Sequence, residues 1–497
     1  MKNALIFFTK EPLPNFTKTR LLDFLSPLQA VKLHKQIIKL INNELKKLSN
    51  ADIFVFYTPN AQILKELLGD YKFYPQNGNG LNERMLNAFK QVKTYGYDKI
   101  LLIGSDIIDL SSSHIEKSFK SLNTHDISIT PTIDGGYCAL GLKQIKDEIF
   151  SVDYSIRKNV FKAMCDKFDE LKLSYKKMPK LRDIDTKEDI FAQILGVKKL
   201  TPLANGEYNI NYKFKKDDKT QVFRINTKSQ MGFKNQIKYE FDALKILSTS
   251  GVTPKPIKYF TPSIFLPKGA MSMEFLEGRP LRYQSDFKIA SYLLAKIHTT
   301  KIPAKHTLFI AKKPLLEMYK ECLKMANVYL ESKFANKNTS KHIKGFLNAV
   351  SKFNLNRDIN EPCIINTELN SGNFIISSKS SFIIDWEKPI LGEKEQDIAH
   401  FLAPTTTFWK TNTILNDSDM REFIGLYESH FKTKVDMAKF QTYLAMTCLR
   451  GVSWCTMAYV EYQGKRAIKN QYTYKKINKY LSDKFLSKLD EFFKEFK

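Results

Sequence analysis

The chain has 497 residues, 43% of them hydrophobic, and a formal net charge of +26 at pH 7. That length exceeds one ordinary core and calls for two or three domains, while no apolar run is long enough to suggest a transmembrane helix. The positive charge raises nucleic-acid binding, but Lys and Arg are spread along the chain and interleaved with acids, as in Asn43-Glu44-Leu45-Lys46-Lys47, with no basic tail, RNA-binding signature or zinc-finger spacing. Solvated faces and anionic small-molecule substrates explain the charge better than a specific nucleic acid. A basic surface also suits peripheral contact with anionic lipid headgroups.

The apolar run at 4–8 ends before Lys10, too short for a signal-peptide core, and reads as a first buried strand. The six cysteines have no CxxC pairing or regular spacing, which predicts reduced thiols in a cytoplasmic protein. Further strands are predicted over 52–57, 99–104 and 126–130. A helix is predicted over 27–48, where Val31, Leu33, Ile37, Ile38 and Ile41 approach helical spacing. This alternation implies an α/β sheet covered on both faces.

The loop Thr9–Leu21 follows the first strand, and ligands bind at the carboxyl ends of strands in such sheets. Its Lys10, Lys18 and Arg20 are candidate polyphosphate ligands, helped by the N-terminus of the next helix; a basic surface loop is the alternative. Gly104-Ser105-Asp106 puts Asp106 at the sheet edge as a candidate ligand for a divalent metal. Asp109 fits a cap on the next helix. Asp134-Gly135-Gly136 offers another candidate carboxylate and a close backbone approach, or simply a hairpin turn.

Five pieces agree in order and spacing: Lys18-Thr19-Arg20-Leu21; Gln76 with Gly80–Met85; Gly104–Leu110; Asp134–Leu142; and Asp183–Asp189. Over about residues 1–196 they resemble the GT-A-like transferase family called DUF2064. The resemblance implies a nucleotide-diphospho-sugar-transferase fold with a site for a nucleotide or nucleotide sugar. It is similar both to glycosyltransferases and to small-molecule nucleotidylyltransferases such as phospholactate guanylyltransferase. The family's Pro-Gly before the basic motif is Pro14-Asn15 here, and Ile108 stands where it has Pro.

A different pattern begins near residue 200. Stretches 208–214 and 220–225 flank the turn Lys216-Asp217-Asp218-Lys219 as a hairpin, a helix follows at 236–248 and a strand at 272–275, and the chain is mainly helical from 285. Two units joined near 198–201 are the simplest division, 1–198 and 199–497. The second would have a sheet-rich lobe at about 199–280 and a helical lobe at about 281–497.

Asn366-Thr367-Glu368-Leu369-Asn370-Ser371-Gly372-Asn373, then an apolar run and Ile384-Asp385-Trp386-Glu387, has the layout of a phosphotransfer centre. Over about 200–497 the chain resembles the aminoglycoside phosphotransferase and choline kinase family, whose pattern is HGDxHxxN, a strand, then IDWE. The resemblance implies Asn373 and Asp385 as Mg²⁺ (or Mn²⁺) ligands, ATP as co-substrate, and Gln396-Asp397 as the structural Asp segment. It further implies Gly206 in the phosphate-covering loop, Arg224 in place of the usual phosphate-binding Lys, Glu240 as its partner, and Glu274 in the hinge that receives adenine.

Both family histidines are asparagines here, and the catalytic Asp is Glu368. One added methylene displaces the oxygen by roughly an ångström, a shift that can cost about 10²-fold in rate. The segment 403–410 reads as a helix-breaking loop with one packed Trp more readily than as an acceptor-pocket wall. The apolar stretch 443–462 reads as helical-lobe core rather than a choline box.

The expected fold is therefore α/β, a GT-A-like domain followed by a two-lobed kinase-like domain. The expected function is a bifunctional transferase: an ATP-dependent small-molecule kinase with Glu368 as base, and a nucleotide-dependent glycosyl- or nucleotidyltransferase using Asp106 and Asp134. The alternatives are a glycosyltransferase whose kinase-like half only binds, and a basic protein that binds anionic polymers.

Overall fold

The computed structural model describes residues 2–152, 159–205, 209–229, 231–431, 434–464 and 471–494. The chain forms two compact units: Met1–Thr201 with Phe214–Asp217 and Pro262–Pro267, and Pro202–Lys213 with Asp218–Thr261 and Lys268–Lys497.

The first unit contains, in order, β1 (Asn3–Lys10), α1 (Pro27–Leu45), β2 (Asp52–Thr58), α2 (Gln62–Leu68), β3 (Lys72–Pro75), α3 (Leu81–Lys93), β4 (Lys99–Gly104), α4 (Ser112–Ser121), β5 (Ile127–Pro131), β6 (Tyr137–Leu142), α5 (Val160–Glu170), β7 (Tyr175–Lys177) and α6 (Lys187–Leu195). Its seven strands lie in the order β3-β2-β1-β4-β6-β5-β7. β1 runs parallel to both β2 and β4, and β6 runs antiparallel to β4 and β5. Successive side chains of a strand face opposite sides. Ala4 and Ile6 therefore join a core with Phe89 and Val92 of α3 and Met164 and Phe168 of α5, while Leu5 and Phe7 are buried on the other face.

α1 starts where Ser26 caps it, in a reciprocal arrangement with Gln29 and with Pro27 at the first position, and it buries Leu33, Ile37, Ile38 and Ile41. That capping satisfies the helix's own N-terminus. The residues nearest the expected phosphate loop form instead a short 3-10 turn, Thr19–Leu21, entered through Lys18 at φ 51°.

The second unit opens with β8 (Thr201–Asn205), β9 (Asn209–Lys216), β10 (Lys219–Asn226), α7 (Gln236–Leu247), β11 (Pro256–Phe260) and β12 (Ala270–Glu274), the five strands forming one sheet in the order β11-β12-β10-β9-β8. The β9–β10 turn holds Asp217 and Asp218 at positive φ, as a tight two-residue hairpin needs. Tyr208, the predicted start of this hairpin, lies outside the described residues.

The helical part follows: α8 (Phe287–His298), β13 (Phe309–Ile310), α9 (Pro314–Leu330), α10 (Lys337–Ser351), β14 (Cys363–Ile365), β15 (Phe374–Ile375), β16 (Phe382–Ile383), β17 (Ile390–Gly392), α11 (Lys394–Leu402), α12 (Pro404–Thr411), α13 (Asp417–Phe431), α14 (Met437–Gln463), α15 (Gln471–Tyr480) and α16 (Asp483–Lys494). α14 runs through the core, burying Tyr443, Leu444, Cys448, Val452 and Cys455, which bears out the packing reading of that stretch. The segment 403–410 is a correction. It forms the helix α12, with Pro404 in its first turn and Trp409 edge-on to Trp454 at 5.5 Å. Among the described residues, no helix is long and apolar enough to cross a membrane.

Candidate functional site

In the first unit, the register pairs Phe8 of β1 with Gly104, the last residue of β4, and β1 runs two residues further to Lys10, so the loops that follow start close together. Lys18 thereby forms an ion pair with Asp106, and its Nζ donates to the Ile184 carbonyl at 2.5 Å. The segment 181–185 runs beside 106–109: Ile107 bridges Asp183, and the Ile184 N–H donates to the Asp106 carbonyl at 3.0 Å. Arg20 pairs with Asp185 at 2.7 Å. Lys18, Arg20, Asp106, Ile107, Asp183 and Asp185 line a cleft of about 800 Å³ that also takes in Lys10 and Gln76.

Electrostatics separates the carboxylates. Burial opposes the charge of Asp106, but the Lys18 ammonium overcomes it and holds the carboxyl below its ordinary value. Burial, with Asp134 and Asp185 adding repulsion, pushes Asp183 up to about 7, and burial also raises Asp185. Burial lowers His34 to about 4, so it is neutral at pH 7, and its ring bridges Thr17 and Ser105.

Lys10, Lys18, Arg20 and Asp106 thus share one cleft. Asp134 does not line it: its Oδ1 accepts from the Gly136 N–H at 3.0 Å and from the Thr132 hydroxyl, holding the β5–β6 turn. Asp109 is not a helix cap either. Ser111 caps α4, and Asp109 accepts from the Arg182 N–H at 3.0 Å. The cleft also holds His34, Asp183 and Asp185, which the sequence does not mark as site residues. The two aspartates sat inside a motif already noted, whereas His34 lies mid-helix with no local signal.

In the second unit, β15 pairs with β16 so that Phe374 faces Ile383, and the Ile384 N–H donates to the Asn373 carbonyl at 2.7 Å. This hairpin brings Asn373 and Asp385 to one end. Asp397 accepts from the backbone N–H groups of Asn366 (2.8 Å) and Thr367 (2.9 Å), and the Asn366 amide donates to the Asp385 carbonyl at 2.9 Å. The asparagines replacing the family histidines therefore tie the loop together. The Asn370 side chain donates through Nδ2 to the Glu368 carbonyl at 3.2 Å and accepts through Oδ1 from the Gly372 N–H at 2.9 Å.

Arg224 is buried among three carboxylates: Glu240 at 3.1 Å, Asp385 at 3.0 Å, and Glu387. Burial works against its charge, but Glu240, Asp385 and Glu387 raise its pKa well above the ordinary guanidinium value. Burial drives Glu240 upward against the pull of Arg224. Glu387 also accepts from the Asn209 amide at 2.7 Å. Glu368, at the base position, pairs with Lys388. The Glu274 carboxylate accepts from the Lys255 N–H at 3.5 Å, across the end of β12. Gly206 lies outside the described residues. Among the described residues, no group of three or more His, Cys, Asp or Glu side chains is arranged to hold a metal ion.

The family model described as an uncharacterized protein conserved in bacteria (DUF2064) matches residues 41–155, and that of the phosphotransferase enzyme family (APH) matches 199–421. No curated protein matches the chain. Similar solved structures include a protein from Desulfovibrio desulfuricans G20 provisionally assigned as a nucleotide-diphospho-sugar transferase, at 29% identity and TM-score 0.37, covering 39% of this chain and 87% of that one. Spectinomycin phosphotransferase in complex with ADP and spectinomycin is similar at 14% identity and TM-score 0.44, covering 59% and 92%. Choline kinase from Cryptosporidium parvum Iowa II is similar at 14% and 0.42, covering 59% and 90%. The chain therefore joins a transferase-like N-terminal unit resembling DUF2064 to a phosphotransferase-like C-terminal unit resembling the APH family.

Proposed function

We propose that the chain is a bifunctional transferase, divided functionally at 198/199, with lobes meeting near 280 in the second half. The C-terminal half phosphorylates a small-molecule alcohol from ATP. The N-terminal half uses a nucleotide or nucleotide sugar, attaching the nucleotide to that phosphate or transferring the sugar.

The observation that carries the kinase reading is the joint between Arg224, Glu240 and Asp385, built on the hairpin that brings Asn373 alongside. A buried cation next to a half-exposed carboxylate is suited to polyphosphate and a hard metal ion. Asn373 and Asp385 offer oxygen donors, the chemistry Mg²⁺ or Mn²⁺ requires, and so small a protein set fits an ion that keeps waters and binds substrate phosphates. The bound ion would supply neutralisation of phosphate charge.

In the transfer itself, the acceptor oxygen bonds to the γ-phosphorus and the β,γ-bridging P–O bond breaks, its electron pair leaving on ADP. The hydroxyl proton passes to Glu368 and then to water. Arg224 holds phosphate oxygens, and Glu274 lies at the strand end assigned to adenine.

In the N-terminal half, Lys10, Lys18 and Arg20 bind phosphates and Asp106 is the candidate metal ligand. Asp134 positions the turn beside the cleft. All six cysteines are free thiols, which supports a reducing compartment such as the cytoplasm.

A second reading is favoured by the Glu368–Lys388 pair, which neutralises the base position. The kinase-like half would then bind an acceptor for a glycosyltransferase without phosphorylating it. Glu368→Gln separates the two: a loss of acceptor-dependent ADP release of about 10²-fold or more supports the kinase, whereas unchanged product formation with no ADP release supports the second reading. A thermal-shift panel of ATP, CTP, GTP, UTP and nucleotide sugars with Mg²⁺, run on the full chain and on Asp106→Asn and Asp385→Ala, tests the ligand assignments. Shifts with ATP lost only in Asp385→Ala, and with a second nucleotide only in Asp106→Asn, are expected; shifts unaffected by either change contradict both sites.

A further inference from the structure

His34 lies on the buried side of α1, where Ala30, Leu33, Ile37 and Ile38 are apolar, and it is also part of the wall of the first unit's cleft. Its ring joins two segments remote in sequence. Nε2 lies 3.2 Å from Ser105 Oγ, and Nδ1 meets the Thr17 hydroxyl. Asp106 Oδ1 is 4.0 Å from Nε2, which favours the ring proton on that nitrogen and leaves Nδ1 to accept from Thr17. Thr17, His34 and Ser105 are all buried, so the bridge is shielded from water.

Each end of the bridge stops one residue short of a charged group: Thr17 precedes Lys18, and Ser105 precedes Asp106. Lys18 sits at φ 51°, a conformation that a residue other than glycine keeps only where its surroundings over-determine it. Its side chain, 4% exposed, donates to the Ile184 carbonyl and pairs with Asp106. An ammonium has three N–H donors, so one is left for a phosphate oxygen in the cleft that Lys18 lines. The backbone leading into Lys18 bonds largely to itself: Leu13 donates to the Glu11 carbonyl, and Phe16 and Thr17 donate to that of Leu13. The Thr17–His34 contact therefore ties the far end of this loop to α1 and, through Ser105, to the end of β4.

We propose that His34 is a positioning residue for this cleft: by clamping Thr17 to Ser105 it holds Lys18 against Asp106, in place to meet the phosphates of a nucleotide. The effect on a nucleotide rests on the transferase reading of the first unit, whereas the placement of Lys18 does not.

The test uses the full chain in two measurements. Reductive dimethylation with peptide mapping reads how well Lys18 is shielded, with the buried Lys99, held by Asn123, as internal control. Thermal shift with Mg²⁺ and GTP, CTP, UTP or UDP-glucose reads binding, the probe being one whose shift Lys18→Met diminishes. His34→Phe removes the ring nitrogens, and Thr17→Val removes one hydroxyl while keeping the side-chain shape. Each should speed Lys18 labelling several-fold, leave Lys99 unchanged and weaken the nucleotide about tenfold, the scale of one contact to a charged group. Added to Lys18→Met, Thr17→Val should weaken the nucleotide no further, because the two act through one contact. Faster Lys18 labelling in a protein that none of the probes stabilises keeps the positioning role and overturns the nucleotide site. Unchanged Lys18 labelling in Thr17→Val overturns the inference, as does labelling that rises equally at Lys18 and Lys99. So does undiminished binding in Thr17→Val of a probe that the wild type binds, or a full additional loss on top of Lys18→Met.

Discussion

Asp183 carries the clearest pH signature in the first unit, because burial and the neighbouring Asp134 and Asp185 push its carboxyl up to about 7. An Asp in the unfolded chain titrates near 3.9. Between about pH 4 and pH 7 the folded state therefore binds more protons than the unfolded one, and this group makes stability fall as pH rises through that window. Asp183→Asn is expected to raise Tm at about pH 8 and to do so much less at about pH 5, as thermal melts across the range would read. An equal change at both pH values would mean that the carboxyl is not shifted. The same residues show what was legible. Lys18 and Asp106 stood out because short motifs at strand ends bear charge where ligands bind. Asp183 and Asp185 reach the cleft only through the pairing of 181–185 with 106–109, a contact no local pattern announces. His34 depends on Thr17 and Ser105, remote in sequence, and looks like any polar residue of an amphipathic helix.

Among the elements, the segment after β12 is held by close backbone contact. A Cβ on Gly278 would lie 2.6 Å from the Ile376 carbonyl oxygen, while Arg279 and Ile376 exchange backbone hydrogen bonds of 3.0 and 2.8 Å. Gly278→Ala should therefore cost about 1–3 kcal/mol through overpacking against backbone, measured by denaturant unfolding; an unchanged midpoint would show that the segments around Gly278 and Ile376 part easily. Between Asn373 and Asp385 the sequence reads as one strand, whereas the structure folds it into the β15–β16 hairpin, because the polar run Ser377-Ser378-Lys379-Ser380-Ser381 turns the chain back. α12 was not legible either. Thr405, Thr406 and Thr407 are β-branched and poor helix formers, so the segment reads as a loop. Pro404 at the helix start and the burial of those threonines with Trp409 against Trp454 outweigh that local preference.

For the whole molecule, each unit has its own buried core, one around the seven-stranded sheet and one through the helices of the second unit. Unfolding is accordingly expected in two calorimetric transitions, with Mg-ATP raising one and leaving the other in place. A single transition moved as a whole would show that the units melt as one. The division into an α/β unit and a sheet-then-helix unit was visible because hydrophobic periodicity changes near residue 200. The proposed pairing of chemistries in one chain gives the central claim its sharpest form: ATP is to be consumed at Asp385 only when the right alcohol is present. The most direct measurement is ADP release by the purified full chain with Mg-ATP and a panel of small alcohols, comparing wild type with Asp385→Ala. The account predicts release that depends on one acceptor class and falls at least about 10²-fold in the variant. Release that is independent of acceptor, or unchanged in Asp385→Ala, would contradict it.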